Sequence, residues 1–133
     1  MSSLKAFLQP VQIENQEVVI SSRFVEDSKP VPFTIRPITQ DENKYLIKRF
    51  TKKDKKGTES FDRTEYISAL TAAAVVFPDL TNAELQKAYG TIGESSLLQK
   101  MLYVGEYAEL AQKVQEISGL DSDINEEIEE AKN

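Results

Sequence analysis

The stretch Val31-Pro32-Phe33-Thr34-Ile35-Arg36-Pro37-Ile38-Thr39-Gln40-Asp41-Glu42 changes its hydrophobic period part-way along. Val31, Phe33 and Ile35 alternate with Pro32, Thr34 and Arg36, which is the two-residue period of a strand with one buried face. After Pro37, Thr39 stands three residues ahead of Glu42. A short oxygen-bearing side chain and a glutamate at that spacing cap each other's backbone N–H groups at the start of a helix. A strand followed by a marked helix start divides the chain into two regimes. Upstream, Val18, Val19 and Ile20 lead to Phe24 and Val25, and Glu26-Asp27-Ser28-Lys29-Pro30 supplies turn chemistry. This predicts an N-terminal antiparallel β-hairpin whose second strand lies at an edge or turns Pro30 and Pro32 outward, because proline donates no ladder hydrogen bond. Val11 and Ile13 are candidates for a third strand. Leu4, Phe7 and Leu8 ahead of Pro10 predict a short helical turn that serves for docking.

Downstream, Asp62 with Glu65 and Thr81 with Glu84 repeat the spacing of Thr39 and Glu42. Phe61 can meet Tyr66, and Leu80 can meet Leu85, as hydrophobic staples. The helix from Arg63 places Tyr66, Ile67, Leu70, Ala73, Ala74 and Phe77 on one face and is expected to run to Pro78. Ala72-Ala73-Ala74 would let another helix approach closely. A short helix from Asn82 should end at Gly90. Leu97, Leu98, Met101 and Leu102, then Tyr107, Leu110, Ala111, Val114 and Ile117, mark one long helix or two joined near Gly105, ended by Gly119. The fold class expected is α+β, an N-terminal antiparallel β-hairpin followed by a mainly α-helical C-terminal two thirds. Residues 1–119 should form a single domain, and 120–133 an acidic C-terminal tail.

Composition narrows the chemistry. In a chain of 133 residues, Leu, Ile, Val and Phe make up more than a quarter, above the roughly 20% below which charged chains stay disordered. The length suits one core. Histidine and cysteine are absent, which removes imidazole and thiol nucleophile systems, their metal sites, disulfides and thiol redox chemistry. No phosphate-binding glycine loop occurs around Gly90 and Gly93. The expectation is a protein without enzymatic activity and without a cofactor. A net charge of −6 opposes sequence-independent attraction to nucleic acid and to anionic membranes. With no signal peptide and no membrane span in view, a cytoplasmic protein that binds other proteins is expected.

Two segments are strongly biased. Residues 48–56 hold six basic residues against one acidic, Lys52, Lys53, Lys55 and Lys56 among them, and read as a solvated mobile connector between two helices or as a protein contact. Phe50 is its one aromatic, too few for stacking on successive bases. Residues 120–133 hold six acidic residues against Lys132, with Leu120, Ile124 and Ile128 recurring every four residues. A helix there would carry a thin apolar stripe for a partner's groove; otherwise the segment is a solubilising tail. Candidate partner-binding residues are therefore Leu97, Met101, Tyr107 and Leu110 on the wide helical stripe, Leu120, Ile124 and Ile128 in the tail, and the four lysines.

Taken together, residues 30–39 (PVPFTIRPIT), 71–90 (TAAAVVFPDLTNAELQKAYG) and 97–119 (LLQKMLYVGEYAELAQKVQEISG) resemble the tail assembly chaperones of PBSX-type bacteriophages and prophages, the XkdN-like family. The resemblance spans the chain but includes no catalytic signature. It implies a non-enzymatic factor that binds and solubilises the tape measure protein during tail morphogenesis, self-associates, acts in the host cytoplasm and is absent from the mature virion. A structural tail or head-completion protein retained in the particle is the alternative. The family also implies a longer product made by ribosomal frameshifting, through which the tail tube protein would be contacted. Ala131-Lys132-Asn133 can be encoded by GCA-AAA-AAC, a slippery run.

Overall fold

The computed structural model of the protein describes residues 3–120. Phe33 and Ile35, the inward positions of the alternating stretch, are 2% and 0% exposed. Preceding them, α1 (Leu4–Leu8) is a short helix ended before Pro10, and β1 (Gln16–Val18) starts the sheet. Two further strands, β2 (Val25–Glu26) and β3 (Lys29–Pro30), form a small ladder closed by Asp27 and Ser28. Both turn residues have positive φ, the geometry of the tight hairpin turn that matches strand twist. The alternating strand is β4 (Phe33–Ile35), paired antiparallel to β1 with Val18 opposite Phe33 and Gln16 opposite Ile35.

The N-terminal region is antiparallel as expected, but as two ladders and not one simple hairpin: β1 pairs with β4, and β2–β3 is a separate ladder within their connection. The expected edge position of the second strand is corrected. β4 is the central strand of a sheet ordered β1-β4-β7. It can be central because Pro32 and Pro37 lie outside its three residues, so no ladder N–H is missing. The third strand is also not Val11 and Ile13, which are exposed and outside every strand.

The helical part follows its caps. In α2 (Gln40–Arg49) the Thr39 hydroxyl accepts the Glu42 N–H while the Glu42 carboxylate accepts the Thr39 N–H, completing the expected box. The basic segment beyond it is a correction: instead of a loop it forms a hairpin of β5 (Thr51–Lys53) and β6 (Glu59–Phe61). Asp54 closes its turn, its carboxylate accepting the Lys56 and Thr58 N–H groups at 2.8 and 2.9 Å. The overlooked signal was Asp54 three residues before Gly57, whose φ is +84°.

Asp62 caps α3 (Arg63–Ala74) by accepting the Glu65 N–H, and the Phe61 and Tyr66 rings meet at 5.2 Å as a staple should. This helix stops short of Pro78, and Phe77 is not on its face. Val75–Phe77 is β7, antiparallel to β4. Two β-branched residues and an aromatic favour the pleat, and the residue before a proline is disfavoured in helix.

The cap of α4 (Ala83–Ala88) is Asn82, accepting the Leu85 N–H at 2.8 Å, not the expected Thr81. Thr81 is engaged by Asp79, which accepts both its hydroxyl and its N–H. Two helices complete the fold, α5 (Glu94–Met101) and α6 (Val104–Ile117), joined near Gly105 as one of the two expected arrangements has it, with the break at Leu102 and Tyr103 and Gly105 in the first turn of α6. α3 packs against α2, α5 and α6, and α6 reaches β1. Leu70, Leu97, Leu98, Leu110 and Val114 are fully buried where these elements meet the sheet.

Candidate partner-binding surface

The break between α5 and α6 turns Tyr103 and Val104 outward, 69% and 90% exposed. Two side chains hold this corner rigid. Tyr103 caps α6, its N–H donated to the Glu106 carboxylate at 2.8 Å. Arg23, from the connection after β1, donates through Nε and Nη2 to the two oxygens of Glu106 at 3.1 and 2.5 Å, and through Nη2 to the Met101 carbonyl at 2.9 Å. This fork-on-fork geometry orients both partners. The same guanidinium lies 4.5 Å from the Tyr103 ring centroid and 5.0 Å from that of Phe24. Phe24 in turn meets the buried Phe33 edge-on at 5.8 Å. A chain of contacts therefore runs from the sheet core to an exposed tyrosine.

Such a corner combines an aromatic ring, an aliphatic neighbour and an arginine whose charge is matched locally. Aromatic residues and arginine are enriched at the centres of protein interfaces, and a pre-ordered ring loses little freedom on binding. The one carboxylate of the cluster is held ionised by the arginine. No group of residues able to hold a metal ion occurs among the described residues. None of the helices described is long and apolar enough to cross a membrane.

The Arg23 hydrogen bonds, followed by those from Ser21 and from the Tyr103 backbone, lower Glu106 from the ordinary 4.5 to about 2. Arg36 does the same to Glu42, again to about 2. Carboxylates depressed in the folded state stabilise it above pH 4.5, and that contribution is lost as pH falls through the folded value. The thermal midpoint is expected to fall as pH is lowered from about 4.5 to about 2, as read by circular dichroism. The Glu106→Gln variant should show a shallower fall, and a slope equal to that of the wild type would refute the assignment.

The residues singled out from sequence are distributed differently. Leu97 and Leu110 are fully buried and Met101 nearly so, so this stripe is occupied by the chain's own core and offers no surface to a partner in this conformation. Tyr107 is half-buried, its hydroxyl donating to Ser68 Oγ at 3.2 Å. Leu120 packs against the core, with its N–H donated to the Gln115 carbonyl. Ile124 and Ile128 lie outside the described residues. Lys52, Lys53, Lys55 and Lys56 are all exposed on the β5–β6 hairpin, Lys53 3.7 Å from Glu59. Missing from the sequence reading are Arg23, Tyr103, Val104 and Glu106. The only local signal was the Tyr103–Glu106 spacing, hidden inside a continuous helical pattern.

The family model described as phage XkdN-like tail assembly chaperone protein matches residues 4–132. The phage-like element PBSX protein XkdN of Bacillus subtilis (strain 168) is 32% identical over 129 residues, covering 92% of this chain and 87% of that protein. YqbN of the same strain, a protein without a described function, is 34% identical over 131 residues, covering 94% and 88%. A crystal structure of the protein YqbN superposes with a TM-score of 0.79 at 30% identity, covering 91% of this chain and 99% of that one.

Proposed function

Because the chain belongs to the phage XkdN-like tail assembly chaperone family, we propose that it binds the tape measure protein of its phage or prophage and keeps it soluble while the tail is built. The family role is a non-catalytic one, and nothing in the proposal requires a nucleotide or a cofactor. A tape measure of great length and helical character would expose apolar faces until tube subunits enclose it, and exposed apolar surface drives aggregation. The observation that carries this reading is the Tyr103–Val104 corner, a large apolar exposure held in a fixed orientation by Arg23 and Glu106.

A corner of this size supports only a weak single contact. Many copies along one client would hold it through multiplicity and still yield to incoming tube subunits. The net charge of −6 would keep such a coated complex dispersed. On this reading the protein acts in the host cytoplasm and leaves before the particle is complete.

Co-expression with the tape measure protein of the same phage tests the proposal. The soluble yield of that protein should rise at least severalfold and the two should co-purify. An unchanged yield with no complex would refute the reading. Mass spectrometry of finished particles separates it from a retained structural component, since a chaperone should be missing from them.

A further inference from the structure

Every residue from 3 to 17 is exposed. Within that arm, Phe7 is 80% exposed and Leu8 69%, on a helical turn whose backbone is already formed by the bond from the Gln9 N–H to the Lys5 carbonyl. Val11 and Ile13 continue the apolar character beyond Pro10, and Lys5 is the only charged residue from 3 to 13. A formed turn that presents large apolar side chains away from its own core is a ligand for a groove.

The same chain carries a groove of about 470 Å³ between α2, α3 and the start of α5. Ala69 and Ala73 of α3, Asp41, Tyr45 and Arg49 of α2, and Glu94 of α5 are among the residues that line it. Clefts of roughly 300–1,000 Å³ bury ligands of small-molecule size, which a phenylalanine and a leucine side chain approximate. The alanines let an incoming helical turn approach closely. Asp41, Glu42 and Glu94 outnumber Arg49 in the lining, so the groove is net negative where the arm brings one lysine. Arm and groove are therefore complementary in shape, polarity and charge, yet within one copy the arm stays exposed.

We propose that the N-terminal arm of one copy docks in the α2–α3–α5 groove of a second copy, with Phe7 and Leu8 against Ala69 and Ala73 and Lys5 facing Asp41 and Glu94. A contact between two different patches of identical chains is head-to-tail, so each copy still offers one arm and one groove to further copies. This inference concerns the chain alone and does not depend on the client.

Sedimentation velocity of the full chain over a hundredfold range of concentration tests it. The wild type should associate, with mass rising with concentration. Phe7→Asp, at a position outside the core, and Ala73→Arg, which fills the groove, should each weaken association at least about tenfold, the order expected for exposing one large apolar side chain. An equimolar mixture of the two should form dimers and nothing larger, because only one arm and one groove remain intact. Lys5→Glu and Glu94→Lys should each weaken association, and their combination in one chain should restore it, a readout that stands even where Ala73→Arg does not fold. A wild type that is monomeric throughout, as an arm seated in its own groove would give, overturns the proposal. So do variants that associate as the wild type does, or a charge-reversed pair without rescue.

Discussion

Leu110→Ala is expected to cost about 2–5 kcal/mol of folding stability, the range for truncating a fully buried leucine. Leu110 is completely buried in the core cluster that α6 forms with α3 and the sheet. Its removal forfeits the transfer free energy of the lost methyl groups and leaves a cavity that short, mutually braced elements cannot close. In a domain of this size marginal stability is about 5–15 kcal/mol, so the variant should sit near the edge of folding. Urea unfolding followed by circular dichroism checks this: the midpoint should drop while the slope stays constant. Val104→Ala, one turn before the core face and 90% exposed, should shift stability by no more than about 0.5 kcal/mol. Equal effects of the two substitutions would mean that α6 is not packed as described.

Tyr103→Ala should do the opposite, sparing the fold and damaging recognition. The ring is mostly exposed, so unfolding should change little, whereas loss of a central aromatic in an interface costs about 2 kcal/mol or more, roughly 30-fold in Kd. Calorimetric titration of the purified protein with a soluble tape measure segment provides the number. Arg23→Ala should follow in the same direction. It frees the Tyr103 ring and the Glu106 carboxylate together, while the ion pair itself, with an arginine side chain 41% exposed, is screened by solvent and adds little to stability. If Tyr103→Ala binds the client as tightly as the wild type, the α5–α6 corner is not the contact.

The helix starts show what could be read in advance. Thr39 with Glu42 and Asp62 with Glu65 act within one turn of chain, so nothing distant can displace them. Thr81 could be displaced, because Asp79 two residues earlier offered its carboxylate first. The end of α3 moved for a similar reason. Val75–Phe77 continued a helical pattern on paper, but an open edge of β4 was available to pair with. Periodicity also identified Leu97, Met101 and Leu110 as a continuous stripe without distinguishing core from contact surface.

What the sequence alone determined is local or subtractive: the alternation that buries Phe33 and Ile35, the caps, the absence of histidine and cysteine chemistry, and a resemblance spread along the whole chain. The alternation and the caps rest on neighbours a few residues apart, the excluded chemistry on composition, and the resemblance on extended blocks of sequence in order. Tertiary structure decided which apolar residues remain outside. It made β4 central, consumed the long stripe in the core, and left Tyr103, Val104 and Phe7 exposed. It also joined Arg23 to Glu106, 83 positions away. Those outcomes depend on which surfaces meet after the chain has folded back on itself, and a pairing between distant residues leaves no periodic trace in the order of amino acids.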